Sequence, residues 1–181
     1  MHRTVRWANA AGTGLEHLAL GPSPGGFTAE SMVIGEDEGV RFALRYRLEV
    51  DAGWRVRSLA AACPGGPELR LTADGEGHWQ QDGAALPELD GCIDVDISAT
   101  PFTNTLPVRR LALAEGAAQA IRVAYIPVPG LRPHAMRQRY TRLGAARYLY
   151  ESVESGFRAE LPLDADGLVE DYPGLFRRLA G

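Results

Sequence analysis

The chain contains no lysine, and all of its basic side chains are arginine. There are 19 basic residues against 23 acidic ones, which leaves a formal net charge of -4 at pH 7. A protein that binds nucleic acid through general attraction to phosphate needs a clustered excess of basic residues. The composition therefore argues against a nucleic-acid partner, although local groups of arginine remain available for other contacts.

Cysteine is scarce, with two residues, Cys63 and Cys92. Two cysteines are too few for a disulfide framework, and these two are too far apart in sequence for a zinc site made of cysteine alone. Because a free cysteine usually packs as a small hydrophobic side chain, we expect both thiols to be reduced and buried.

Long apolar runs are also missing. No window approaches the roughly 20 apolar residues of a membrane-spanning helix, and residues 1–9 lack the apolar core of a secretory signal. We therefore expect a cytoplasmic protein without a membrane span. The motifs of a glycine-rich phosphate loop, a nucleophile elbow or a zinc site are absent from the sequence too, so we expect no cofactor, no metal ion and no catalytic residues.

Alternation of apolar and polar residues with a period of two predicts β-strands along most of the chain. The clearest case is residues 40–50, a strand longer than the usual five or six residues and typical of a wide barrel or curled sheet. Short strands separated by Asp-Gly turns, without long helical periodicity, predict an all-β protein. The expected fold is one domain over residues 1–181, with a barrel-like or strongly curved antiparallel sheet and few short helices.

Four hairpins are predicted from this alternation and from the turn residues between the strands. They pair residues 3–8 with 15–20, 40–50 with 54–58, 67–73 with 76–81, and 134–143 with 146–152. Further strands are expected at residues 93–97, 121–126, 157–163 and 168–172, where Pro162 would confine its strand to a sheet edge or a bulge.

Three other segments are predicted not to be strands. Residues 21–26, Gly-Pro-Ser-Pro-Gly-Gly, are expected to form a surface loop. Asp164, Asp166 and Gly167 resemble part of a calcium loop but lack its later ligands, which favours an ordinary turn. Residues 175–179 are expected to be a short helix or a tail that closes one end of the barrel.

Charged residues on two predicted strands are interpreted as surface. Four arginines share one face of the hairpin at 40–58. They are Arg45, Arg47, Arg55 and Arg57. Outside a barrel they would form a solvated surface, the preferred interpretation, whereas inside a cavity they would clamp an anionic head group. Glu16 and His17 are likewise expected to be an exposed polar pair, because a lone histidine rarely marks chemistry.

Residues 90–110 are the stretch that ordinary packing explains least. Asp94 and Asp96 share one face of a predicted strand, opposite Ile93, Val95 and Ile97. A run of short hydroxyl and amide side chains follows, between two prolines that restrict the backbone, and it predicts a rigid loop rich in hydrogen-bond donors. The adjacent arginines at positions 109 and 110 close the stretch and bring two cations near two carboxylates.

This stretch, DGCIDVDISATPFTNTLPVRRL, resembles the bacterial family of putative glycolipid-binding proteins. The resemblance extends to Arg6-Trp7, to Gln138 and Tyr140, and to the C-terminal pattern D.DGLV.DYP.LF.R, and so covers nearly the whole chain. It implies an all-β, barrel-like fold similar to the periplasmic carriers that move lipoproteins, and a non-enzymatic lipid-binding role. It supplies no catalytic residues.

Together these patterns favour a protein that binds an amphiphilic small molecule, such as a glycolipid, in an elongated interior groove. Asn104, Thr105, Arg109 and Arg110 are expected near the polar end of that groove. Asp94, Asp96 and Tyr140 complete the set of candidate ligand-binding residues, since a tyrosine offers both an apolar ring and a polar tip.

Two other classes of function stay open. Asp94 and Asp96, about 7 Å apart along a strand, could serve a metal-dependent hydrolase or transferase. Yet ion pairs with Arg109, Arg110 or another arginine would give them a structural role instead. A protein-interaction module would need an exposed aromatic patch, which Trp7, Trp54 and Trp79 could supply.

Overall fold

The computed structural model describes residues 2–180, most of which lie in β-strands. The first half of the chain contains β1 (Arg3–Asn9), β2 (Leu15–Ser23), β3 (Gly26–Asp37), β4 (Val40–Asp51), β5 (Val56–Ala62), β6 (Glu68–Ala73), β7 (Trp79–Gln81) and β8 (Ala84–Ala85). A 3-10 helix (Pro87–Leu89), β9 (Asp94–Ile97), a second 3-10 helix (Phe102–Asn104) and α1 (Thr105–Leu111) follow. The remaining strands are β10 (Ala118–Ile126), β11 (His134–Gly144), β12 (Arg147–Ser152), β13 (Arg158–Pro162), β14 (Asp171–Tyr172) and β15 (Phe176–Arg178).

These strands form two sheets. Ten of them make a large antiparallel sheet in the order β14-β15-β1-β2-β3-β4-β5-β6-β7-β8, and five make a smaller sheet in the order β13-β12-β11-β10-β9. The smaller sheet curls into a half-barrel. The predicted all-β, barrel-like fold is therefore confirmed. Within residues 2–180, no helix is long and apolar enough to cross a membrane.

Strict alternation organises β4. Leu44, Tyr46 and Leu48 point into the core and are at most 1% exposed, whereas Arg45 and Arg47 point into solvent. The long strand predicted at residues 40–50 is confirmed and extends to 12 residues. Its length lets β4 pair along both sides, with β3 and with β5.

The hairpin between β2 and β3 corrects one prediction. Residues 21–23 extend β2 and Gly26 begins β3, so Pro24 and Gly25 alone form the turn where a loop over residues 21–26 was expected. β3 was not predicted because neither of its faces is purely apolar or purely polar. Ser31 is buried among apolar neighbours, while Met32 is 54% exposed.

The small sheet contains one parallel pair, β9 with β10, and its other pairs are antiparallel. Parallel strands need a long crossover, which here contains the second 3-10 helix and α1. Such strands are usually covered on both faces. Val95 and Ile97 are buried on one face of β9, and Asp94 is buried on the other. The sequence predicted this alternation but not that the aspartate face would be covered.

The core has two parts. The first contains side chains from both sheets, such as Leu18 and Leu48 from the large sheet and Ile97 and Ile126 from the small one. The second includes Tyr140, Tyr150 and Leu161 from the small sheet and Tyr172 from β14 of the large sheet. Helix α1 contributes Leu106 to the first part and Val108 to the second. The helix therefore packs between the two. Both cysteines are free and buried, as predicted.

The C-terminal segment also differs from prediction. A helix or tail was expected at residues 175–179, but β15 pairs with β1, where Arg178 lies opposite Trp7. The Arg178 guanidinium lies 5.6 Å from the centre of the Trp7 ring and donates to Asp164 at 2.8 Å. β1 would otherwise present unpaired backbone groups, and β15 satisfies them. Asp164 accepts bonds from the backbone N–H groups of Asp166 and Leu168 and so forms the predicted turn.

The β2–β3 turn supplies a test of the fold. A Cβ atom on Gly26 would lie 1.9 Å from the Val50 carbonyl oxygen, whereas one on Gly25 meets nothing within 4 Å. Because β4 cannot move away without losing its ladder, we expect Gly26→Ala to lower the free energy of unfolding by about 3 kcal/mol. Gly25→Ala at φ +90° carries backbone strain of about 1 kcal/mol. Urea unfolding of both variants measures this, and equal losses would contradict the register.

Candidate functional site

The ion pair between Asp94 and Arg110 joins β9 to α1. Arg110 donates from Nε to Oδ1 at 3.0 Å and from Nη2 to Oδ2 at 2.5 Å. The Asp94 side chain is fully buried and that of Arg110 is 16% exposed. Burial raises the pKa of Asp94, and the Arg110 guanidinium opposes that rise. The pair therefore holds the helix against the strand.

Asp96 lies two residues further on and has different partners. Its carboxylate accepts bonds from Gln138 Nε2 at 2.5 Å and from the Thr103 hydroxyl at 3.1 Å. Burial raises the pKa of Asp96, and these two hydrogen bonds oppose the rise. Beside it, the Tyr140 hydroxyl donates to Asn104 Oδ1 at 2.9 Å. This polar network ties the second 3-10 helix to β9 and β11.

Two of the predicted ligand residues lie apart from this network. Thr105 is fully buried, and its hydroxyl has no hydrogen-bond partner among residues 2–180. Arg109 is exposed, and its guanidinium lies 5.1 Å from the centre of the Trp54 ring. The other five predicted residues lie in this network or in the adjoining Asp94–Arg110 pair, where α1 and the 3-10 helix before it meet β9 and β11. That any of the seven binds a ligand stays a prediction.

The four arginines of the β4–β5 hairpin face solvent, which confirms the preferred interpretation. Arg47 pairs with Glu30 at 2.5 Å and with Glu49 at 2.9 Å, and Arg55 pairs with Glu76 at 2.6 Å. An open groove of about 570 Å³ crosses this outer face of the large sheet. The condition for an anion clamp, an arginine face that lines an interior cavity, is not met.

A pocket of about 300 Å³ opens between the two sheets, and we call it the end pocket. Its walls come from the turn after β1, the tip of the β3–β4 hairpin, the segments that follow β9 and β10, and the turn before β15. Apolar lining residues include Val33, Phe42, Val128 and Phe176. Polar lining residues include Glu16, Ser98 and Tyr125. Residues 90–110, the central stretch, thus contribute Ser98 and Ala99 to the end pocket, whereas none of the seven predicted ligand residues lines it.

Glu16 is the functional candidate that the sequence reasoning missed. It was expected to be exposed with His17, but Glu16 is 2% exposed while His17 is exposed as predicted. Its Oε1 accepts bonds from the hydroxyls of Ser31 at 2.7 Å and Tyr46 at 2.8 Å. Its Oε2 accepts a bond from Thr100 at 2.6 Å. Glu16 therefore connects three parts of the chain beside the end pocket.

The signal for this burial is present in β2. Glu16, Leu18 and Leu20 alternate on one face, so the period that buries the two leucines also buries the carboxyl group. Burial raises the pKa of Glu16 from 4.5 to about 7, although its three hydroxyl donors oppose the rise. Glu16 can therefore gain or lose a proton near neutral pH.

The candidates for a protein-interaction surface and for a metal site find no support in the structure. Trp7, Trp54 and Trp79 are all buried, so they do not supply the exposed aromatic patch that a protein-interaction module would need. Within the described chain, residues 2–180, no group of three or more His, Cys, Asp or Glu side chains is placed to hold a metal ion.

The protein is a mostly β, half-barrel protein. Its two sheets share a core, and a pocket opens between them. Residues 4–178 match the family described as "Putative glycolipid-binding", and the chain belongs to that family. It is similar to a crystal structure of a DUF1089 family protein from Pseudomonas aeruginosa, with 49% sequence identity, a TM-score of 0.83 and coverage of 92% of each chain. No curated protein matches the chain.

The Asp94–Arg110 pair predicts a large cost for the loss of one partner. Arg110→Met leaves a buried carboxylate without its cation, which we expect to lower the free energy of unfolding by about 3–5 kcal/mol at pH 7. The neighbouring Arg109→Met removes a cation–π contact to Trp54, worth about 1 kcal/mol, and breaks no buried ion pair. Denaturant unfolding compares the two variants. Equal, small losses would show that the pair does not hold α1 in place.

Glu16 predicts a stability that depends on pH. Because its folded-state pKa of about 7 lies above the ordinary 4.5, the bound proton stabilises the fold below pH 4.5, and this contribution is lost as the pH rises through about 7. The shift corresponds to about 3 kcal/mol. Glu16→Gln is neutral at every pH, so we expect its stability relative to the wild type to rise between pH 5 and pH 8. Melting temperatures across this range test this.

The control for this experiment is Glu30→Gln, the same chemical change on an exposed side chain. We expect its stability to follow the wild type across the same pH range. Parallel curves for Glu16→Gln and the wild type would contradict the raised pKa.

Proposed function

We propose that this protein binds an amphiphilic small molecule in the end pocket and does not act as an enzyme. The observation that carries the proposal is the composition of the pocket, whose lining is mixed, more apolar than polar, and includes the buried Glu16. Sites for small molecules are concave, mostly apolar and oriented by a small number of polar groups. The volume of about 300 Å³ is at the lower end of the range of such sites.

The family description supports the same class of ligand, since it names glycolipid binding. The position of the pocket changes the hypothesis drawn from the sequence. An elongated groove through the interior was expected, but core side chains such as Leu44, Leu48 and Leu71 fill the space between the sheets. The apolar part of a ligand would instead enter at the end of the molecule.

The contacts of Asp94 and Asp96 favour binding over hydrolysis. Asp94 is held by Arg110, and Asp96 is held by Gln138 and Thr103. A carboxylate fully engaged by an arginine has little capacity left for a metal ion or a proton transfer. These contacts support a structural role for Asp94 and give the hydrolase alternative no specific support.

The test blocks the mouth of the end pocket without touching the core. Ala11 lines the pocket from an exposed turn, so Ala11→Trp should fold normally while its ring obstructs entry. We expect it to weaken binding of octyl glucoside at least about tenfold, as measured by isothermal titration calorimetry, because the ring takes the volume of the alkyl chain. Native mass spectrometry of the gently purified wild type should show a bound amphiphile.

The matched control is Ala145→Trp, which adds the same ring at an exposed turn between β11 and β12, away from the end pocket. It should bind as the wild type does. Wild-type protein that takes up no alkyl glycoside, fatty acid or lysolipid, or an Ala11→Trp variant with unchanged affinity, would refute the proposal.

A further inference from the structure

A row of outward-facing side chains crosses β1 to β4 of the large sheet and contains three basic groups. In the strand register, Arg6 on β1 lies opposite His17 on β2. Met32 on β3 lies between His17 and Arg45 on β4. All four side chains are exposed, and Arg6 Nε donates to His17 Nδ1 at 3.2 Å. The row therefore places three basic groups on one surface, beside an exposed methionine.

The two arginines of this row have no carboxylate partner among residues 2–180. Neither Arg6 nor Arg45 forms an ion pair there, whereas Arg47 on the same strand face pairs with Glu30 at 2.5 Å. The register explains the difference, because β3 places Glu30 opposite Arg47 but Met32 opposite Arg45. Two guanidinium groups on this face are thus left without a counter-charge.

The neighbouring row of the same face is apolar. Leu15 on β2 lies opposite Ile34 on β3, two residues along from His17 and Met32. Leu15 is 39% exposed, Met32 is 54% exposed and Ile34 is 57% exposed. Single exposed apolar residues are ordinary, but three in neighbouring positions form an apolar surface that marks a site of interaction. We call these three residues, together with Arg6, His17 and Arg45, the ridge patch.

The ridge patch adjoins two concave surfaces. Leu15 and Ile34 line the end pocket. His17, Met32 and Arg45 line the open groove on the outer face of the large sheet. The apolar part of the patch therefore forms part of the rim of the end pocket, and the basic part lies next to it on the outer face.

The nearby carboxylates leave the charge of the basic row in place. Glu36 Oε2 lies 3.5 Å from Arg41 Nε, so its charge is engaged within the β3–β4 hairpin. Asp37 and Glu38 lie further along, at the tip of that hairpin. The surface at Arg6 and Arg45 is thus locally basic, although the chain carries a net charge of -4.

We propose that the ridge patch docks this protein onto a bilayer surface that contains anionic phospholipid. Guanidinium groups bind phosphate through paired N–H donors, and each basic side chain near an anionic bilayer adds to the attraction. Leu15, Met32 and Ile34 enter the boundary between head groups and acyl chains, as apolar side chains of interfacial segments do. Charge complementarity favours this occupant over a second copy of the chain, because two copies that meet here bring unpaired guanidinium groups together.

The experiment measures co-sedimentation of the full chain with vesicles of phosphatidylcholine and with vesicles of equal parts phosphatidylcholine and phosphatidylglycerol. We expect the wild type to bind the mixed vesicles at least about tenfold more tightly, because only these carry negative charge. Added salt should weaken this binding, since it screens exposed charges.

Two double variants separate the basic and apolar contributions. Arg6→Gln with Arg45→Gln removes both unpaired cations and should weaken binding to the mixed vesicles at least about tenfold. Met32→Thr with Ile34→Thr keeps the charge and should weaken this binding at least about fivefold, because less apolar surface enters the bilayer. All four side chains are exposed, so we expect both variants to fold, and circular dichroism checks this.

The matched controls make the same kinds of change on the small sheet. Arg137→Gln with Arg158→Gln lowers the positive charge by the same amount, but each of these arginines has a glutamate partner. Leu143→Thr replaces an apolar side chain that is 41% exposed. Both controls should bind the mixed vesicles as the wild type does.

A wild type that binds neither kind of vesicle would overturn the proposal, as would losses of affinity that are equally large in the controls. A dimer in light scattering that Met32→Thr with Ile34→Thr dissociates would also overturn it, because a second copy would then cover the patch. Vesicle binding is measured without octyl glucoside. Its failure therefore leaves the proposed binding of an amphiphile in the end pocket standing, and the converse also holds.

Discussion

The buried ion pair between Asp94 and Arg110 fixes α1 on the inner face of β9, and the wall of the end pocket depends on it. Between these two residues lies the segment that supplies Ser98 to the pocket and Thr100 to Glu16. Both ends of that segment are held, one by the β9–β10 ladder and the other by the ion pair. An isolated charge could not remain in this position, since its desolvation would go uncompensated. The pair therefore imposes one arrangement on the central stretch.

Glu16 makes a second connection between the layers, of a different kind. Its partners come from β3, β4 and the segment after β9, so one carboxyl group connects the large sheet to the segment that follows β9. Such a network is stable only when each acceptor is satisfied, because the low dielectric of the interior penalises any unpaired polar atom. The raised pKa of Glu16 shows that burial outweighs the three hydrogen bonds. The carboxyl group beside the end pocket is thus sensitive to protonation in the range where proteins usually work.

The end pocket combines apolar and polar surfaces in one site. It lies where the two sheets separate, and Glu16, Ser98 and Tyr125 are among its polar lining residues. The amphiphilic ligand that we propose would meet both kinds of surface in this pocket. The four arginines of the β4–β5 hairpin face solvent on the outer side of the large sheet, where Arg47 pairs with Glu30 and Arg55 pairs with Glu76.

Local pattern predicted much of the architecture, because alternation is a property of adjacent residues. The strand at 40–50, the hairpins and the edge position of Pro162 follow from side-chain period and from turn residues. The strand β15 did not, since a short segment pairs with β1 only when the fold brings the two together. β3 was not predicted because Ser31 interrupts its apolar face. This serine is buried and donates a hydrogen bond to Glu16.

For the candidate site, the sequence by itself determined which residues carry unusual chemistry: the paired aspartates, the adjacent arginines, the short polar run between the prolines and the tyrosines of β11 and β12. The tertiary structure alone decided which of them bond to one another and which face open space. Asp94 and Asp96 look equivalent along the strand, yet Asp94 meets an arginine whereas Asp96 meets an amide and a hydroxyl. The reason is that burial and partner choice depend on residues distant in sequence, which only the packed sheets bring within hydrogen-bonding distance.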